Sequence, residues 1–128
     1  MAKVRVFVSF DYDHDEDLKT LLLGQARNED SPFIVTGWSL EEASGAGEEE
    51  ARACIMRADQ VIVLCGKHTD SGTAVNAEIA IALNENKPYF LLTGRAIGGN
   101  KKPTAALATD KLYHWTWDIL KQLIAGAR

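Results

Sequence analysis

The chain has 128 residues, enough for one compact domain with a real core, and residues 1–128 are expected to form a single domain. At 46% apolar, 25% charged and a net charge of −4, it lacks the broad basic surface that nucleic-acid binding requires, so no nucleic-acid partner is expected. No leader segment and no apolar run of spanning length is visible, so a cytoplasmic protein with no membrane partner is expected.

In chain order, Val4–Val8 is a short β-rich run with little alternation, as in a strand buried on both faces. Leu18, Leu21, Leu22 and Ala26 follow helical spacing. A second strand is predicted over Pro32–Trp38, then a polar loop from Ser39 to Gly47. Ala51, Cys54, Ile55 and Ala58 share one face of a second helix, with Glu48, Glu49 and Glu50 in its first turn, where the helix dipole favours anions. Val61–Cys65 is the clearest buried strand. The loop Gly66–Gly72 leads to a third helix with Val75, Ile79, Ala82 and Leu83 on its buried face. Pro88–Leu92 is a fourth strand, Gly94–Pro103 a mobile loop, and Lys111–His114 a weak fifth strand. The last helix starts near Thr116 and buries Trp117, Leu120, Leu123 and Ile124. Cys54 and Cys65 are expected as buried free thiols.

Strands alternating with helices specify an α/β three-layer sandwich with a parallel sheet covered on both faces. Five strands suggest the flavodoxin-like order 2-1-3-4-5, in which ligands bind beyond the carboxyl ends of strands 1 and 3. That rule selects the loops Ser9–Asp13 and Gly66–Ser71.

The segment Ser9–Asp17 reads SFDYDHDED and concentrates four aspartates, one glutamate and one histidine. A calcium loop beginning at Asp11 would need glycine where Glu16 stands and glutamate where Leu22 stands. A phospho-acceptor domain would need an aspartate at the end of strand 3, which here reads Cys65-Gly66-Lys67. A helix start explains most of the run: Asp13 and Glu16 have capping-box spacing, and further carboxylates suit the dipole. Ser9, Phe10 and Asp11 precede that cap and fall at the ligand edge. Gly45 and Gly47 lack the third glycine of a dinucleotide fingerprint and are followed by three glutamates. The histidines and cysteines have no zinc-ligand spacing, so no metal is expected; His68 falls at the strand 3 edge. Glu78 lies next to the core-facing Val75 and Ile79, in the helix that starts after that edge. A glutamate on a helix surface is ordinarily solvated, but from here a carboxylate can face a ligand held by Ser9 and Phe10.

The segments Val6–Asp13, Ala58–Thr69, Val75–Ile79 and Leu112–Trp115 together resemble the TIR-like family typified by the Thoeris defence protein ThsB. The similarity runs in order along almost the whole chain. It implies a TIR fold that cleaves the nicotinamide–ribose bond of NAD+ and makes an ADP-ribose-type signal nucleotide, in antiphage defence. NAD+ is then substrate, and no separate cofactor is implied. The resemblance makes Glu78 the catalytic residue. Ser9, Phe10 and Asp11 would line the nucleotide pocket, and Trp38 would stack on a base; His68 and Asn76 complete the expected substrate-binding set. A second copy of the chain and an effector that senses the product are the implied protein partners. The family often has tryptophan at one or both positions matching Ala74 and Ala77; both are alanine here. Two other functions remain open: a non-catalytic TIR-like interaction module, and a nucleoside deoxyribosyltransferase-like enzyme whose glutamate acts on a ribosyl carbon.

Overall fold

The computed structural model describes residues 3–39, 47–94 and 99–126. Its elements follow the expected alternation: β1 (Val4–Ser9), α1 (Tyr12–Ala26), β2 (Phe33–Trp38), α2 (Gly47–Arg57), β3 (Gln60–Cys65), α3 (Thr73–Asn84), β4 (Tyr89–Thr93), β5 (Leu112–His114) and α4 (Trp117–Ile124). A short 3₁₀ turn at Thr69–Ser71 precedes α3. The five strands form one sheet of order β2-β1-β3-β4-β5, and every neighbouring pair is parallel. This is the flavodoxin-like order that the sequence implies.

Strand alternation divides the core into two layers. Val6, Val8, Ile62, Leu64, Phe90 and Leu92 face α1 and α4, where Leu18, Leu22, Leu120, Leu123 and Ile124 cover them. Phe7, Val61, Val63, Cys65 and Leu91 face α2 and α3, against Ile55, Ala58, Val75, Ile79, Ile81 and Ala82. Burial on both faces accounts for the near-continuous apolar runs of β1, β3 and β4. The two prolines predicted to open strands lie one residue outside them. Their carbonyls still accept ladder hydrogen bonds, Pro32 O from Val4 N and Pro88 O from Val61 N, both at 3.0 Å.

β2 contains an irregularity that bears on function. Val6 pairs with Val35 but Phe7 pairs with Gly37, so Thr36 is an extra residue in β2. A bulge of one residue reverses the face on which all later side chains point. Phe33 and Val35 lie in the α1/α4 layer, whereas a Cβ on Gly37 would meet Phe7 and Cys54 on the α2/α3 side.

Several local expectations are corrected. The cap of α1 is Asp11, not Asp13: the Asp11 carboxylate accepts from Asp13 N at 3.1 Å and the helix begins at Tyr12. Leu83 is 37% exposed, because it lies about 100° beyond Ala82 around the helix; Ile81 is buried instead. Trp117 is only half-buried at the first residue of α4, with Lys121 Nζ 5.5 Å from its ring centroid. Both cysteines are free, Cys65 buried and Cys54 half-buried. The polar loop after Ser39 lies outside the described residues over 40–46, as does 95–98 of the Gly94–Pro103 loop. Among the described residues, no helix is long and apolar enough to cross a membrane.

Candidate active site

At the carboxyl end of β1, Ser9 follows Phe7 on the α2/α3 face. On α3, the spacing Val75, Glu78, Ile79, Ala82 places all four side chains on the core-facing stripe. The carboxyl group therefore lies at the edge of the core, with only 4% of Glu78 exposed. Ser9 Oγ donates to Glu78 Oε1 at 2.7 Å. Ser39, one residue beyond β2, donates to the same oxygen at 2.5 Å and accepts from Phe10 N at 3.0 Å. Among the described residues, nothing donates to Oε2. Burial pushes the Glu78 carboxyl up from 4.5 to about 7, while the Ser39 and Ser9 hydroxyls pull the other way. No cation contributes to this balance.

A cleft opens between the starts of α1 and α3, lined by Asp11–Asp13 on one side and Gly72–Val75 on the other. Val75, which lines the cleft, lies one turn before Glu78 on the same helix face; Glu78 itself is not part of the lining. Both helices direct their N-terminal amides toward this edge.

The other expected site residues spread around this centre. Phe10 is fully buried in the α1/α4 layer and reaches the site only through its backbone N–H. Asp11 lines the cleft, but its carboxylate is engaged: Oδ1 caps Asp13 N and Oδ2 lies 2.8 Å from His14 Nδ1. His68 stacks on His14 with centroids 4.0 Å apart, joining the β3–α3 loop to α1 at the exposed rim. Trp38, 40% exposed, pairs with Val8 and lies under Lys19 Nζ at 5.2 Å, on the α1 side of the sheet. The sheet therefore separates the indole from Glu78. The Asn76 amide is committed to backbone: it donates to Gly72 O at 2.8 Å and Asp70 O at 3.2 Å. Its oxygen accepts from Ala105 N at 2.7 Å and from Thr104 Oγ1 at 3.2 Å. Among the described residues, no three His, Cys, Asp or Glu side chains converge as a metal site requires.

Two residues at this edge escaped sequence reasoning. Ser39 was read as the first residue of a polar loop, yet it is fully buried on Glu78. Asp15 was read as one more dipole-placed carboxylate, yet it is 1% exposed and packs on the β3–α3 loop. Its backbone departs from helical geometry at φ −124°, ψ 20°. A Cβ on Gly66 would lie 2.5 and 2.6 Å from the two Asp15 carboxylate oxygens, so only glycine permits this approach. Thr69 Oγ1 accepts from Gly66 N at 2.6 Å and lies 3.5 Å from Asp15 Oδ2, closing the joint.

Compared with known families, the chain matches the one described as Thoeris protein ThsB, TIR-like domain, over residues 7–94. A comparison with individually curated proteins gave no match. The matched span runs from β1 to the end of β4 and contains Ser9, Ser39 and Glu78. It covers more than half of the chain, which therefore belongs to the TIR-like family of the Thoeris protein ThsB.

Proposed function

We propose that this TIR-like protein cleaves the nicotinamide–ribose bond of NAD+ and releases an ADP-ribose-type signal nucleotide, by hydrolysis or cyclisation, in antiphage defence signalling. The observation that carries the reading is Glu78: a buried carboxyl at the switch point of the sheet, one turn along α3 from Val75, which lines a cleft between two helix N-termini, and with one oxygen clamped by hydroxyls. An interaction module gains nothing from such a group, because burying a carboxyl without a cation costs stability. For bond cleavage it supplies the required charge.

In the proposed reaction the C1′–N bond breaks and its electron pair leaves with nicotinamide as a neutral molecule. The ribose becomes oxocarbenium-like, and the Glu78 carboxylate stabilises that charge through Oε2. Water, or a nucleophile within the same ADP-ribose, then bonds to C1′. The positive pyridinium ring of bound NAD+ favours the ionised carboxylate, which offsets the desolvation that holds its pKa near 7. Accordingly, kcat/KM rises with pH through about 7 as free Glu78 ionises. NAD+ is the small-molecule partner, and assembly of copies and an effector for the product belong to the same proposal.

The test is nicotinamide release from NAD+, followed by mass spectrometry of the nucleotide product. Glu78→Gln is expected to lower release at least about 100-fold. Equal turnover by wild type and variant removes Glu78 from the chemistry. Release of free base from deoxynucleosides, with NAD+ untouched, assigns the protein to deoxyribosyl transfer instead.

A further inference from the structure

Ser39 is fully buried, and its oxygen connects two groups of fixed character. The Phe10 amide can only donate, so it occupies a lone pair of Ser39 Oγ at 3.0 Å. The single serine proton is thereby directed to Glu78 Oε1, 2.5 Å away. Ser9 Oγ converges on the same oxygen at 2.7 Å. An oxygen that accepts two hydroxyl protons keeps carbonyl character when the carboxyl is neutral. The proton that Glu78 gains and loses therefore resides on Oε2.

We propose that Ser39 is a positioning residue for Glu78: through the chain Phe10 N–H, Ser39 O–H, Oε1 it fixes the carboxyl and leaves Oε2 as the working oxygen. This deepens the reading of Glu78 given above, and only its catalytic part rests on that reading. The backbone provides the geometry. Thr36, the extra residue of β2, turns Ser39 to the α3 side, and Ser39 N donates to Val8 O at 3.0 Å, which pins the residue to β1. Several charged groups on the surrounding elements pair with one another, and among the described residues none of the charged groups contributes to the Glu78 shift. Arg5 on β1 pairs with Asp59, Asp11 before α1 with His14, and Arg52 on α2 with Glu85 of the α3 cap; β3 carries no charged residue. The ionisation of Glu78 thus responds to burial and to two neutral hydroxyls, with Ser39 the stronger of the two.

The experiment follows the Glu78 side-chain carboxyl by carbon NMR through a pH titration of the ligand-free protein. Wild type titrates near 7. Ser39→Ala raises the midpoint, and Ser9→Ala raises it by less. Ser39→Cys, nearly isosteric but a weak donor, also raises it and keeps the test readable if the alanine variant does not fold. Ser39→Thr, which retains the hydroxyl, returns the midpoint toward wild type. With NAD+, Ser39→Ala lowers kcat about tenfold with KM little changed, and its pH profile moves alkaline in step. A midpoint that is unchanged or lower in both Ser39→Ala and Ser39→Cys overturns the proposal. If wild type releases no nicotinamide but the midpoints still move, the positioning role stands and the glycohydrolase reading falls.

Discussion

The two ends of β1 treat a carboxyl group in opposite ways. At the amino end, Asp59 accepts from Arg5 N at 2.9 Å and from its guanidinium at 3.2 and 3.3 Å, with both side chains about half exposed. Those hydrogen bonds hold Asp59 below its ordinary pKa. At the carboxyl end, Glu78 is almost wholly withdrawn from solvent and no cation shifts its ionisation, and two neutral hydroxyls only partly offset its burial. One end holds its carboxyl below the usual carboxylate range. The other is balanced near neutrality, where a bound positive charge can tip it. Only three residues of one strand, Val6 to Val8, separate Arg5 in a solvated ion pair from Ser9 on a group poised for proton exchange.

This contrast is broken most strongly at Glu78. Its pKa is higher in the folded chain than in the unfolded one, so the native state holds the proton more tightly. The penalty is absent below about 4.5, grows as pH rises toward 7, and is complete above that. A displacement from 4.5 to about 7 corresponds to roughly 3 kcal/mol. Glu78→Gln is therefore expected to gain stability over wild type by up to roughly 3 kcal/mol between pH 5 and pH 8. Urea unfolding at both values measures it, and a difference that does not vary with pH contradicts the contrast.

A smaller effect is expected at the Asp15–Gly66 joint on the same edge. Gly66→Ala drives a methyl into the Asp15 carboxylate and destabilises by about 1–3 kcal/mol, read as a lower denaturation midpoint. Gly24, whose missing Cβ would meet nothing within 4 Å, is the control. The smallest effect belongs to the amino end. Asp59→Asn leaves the unfolding midpoint near that of wild type at neutral pH, and added salt narrows the difference further. Because folding lowers the pKa of Asp59, its stabilising contribution is present above the unfolded value and fades as pH falls through the folded one. A strong dependence on Asp59 near pH 7 would erase the distinction between the two ends.

Sheet order and both core layers were legible because each depends on patterns the chain repeats. Val61–Cys65 and Tyr89–Leu92 are apolar on both faces, and helices alternate with them. The placement of Glu78 was legible too, from its spacing to Val75 and Ile79. Ser39 was not, and the cause is a single residue. Counting by twos from Phe33 and Val35 sends Ser39 toward α1, and only the bulge at Thr36 reverses it. The same reversal carries Trp38, which was expected to stack on a base, to the α1 side, away from Glu78. A bulge depends on how two strands settle against each other and leaves no periodicity to count. Asp15 was hidden for a different reason. In a run of acids at a helix start, dipole and solvation explain every member equally well, so sequence offers no sign that one turns inward.

The Asn76 amide acts as an indexing pin for α3. Both of its N–H groups and its oxygen are committed, inward to the turn before the helix and outward to Thr104 and Ala105. A helix gripped this way near its first turn is hindered from rolling about its axis, and 100° of roll is all that separates one residue's direction from the next. Glu78 lies two residues further along the same cylinder. The angular setting of the carboxyl is thus fixed partly from outside the sheet, by a segment with no direct contact to the cleft. Thr104→Val or Ala105→Pro, each of which removes a donor to Asn76, would act at a distance, by changing where the carboxyl points.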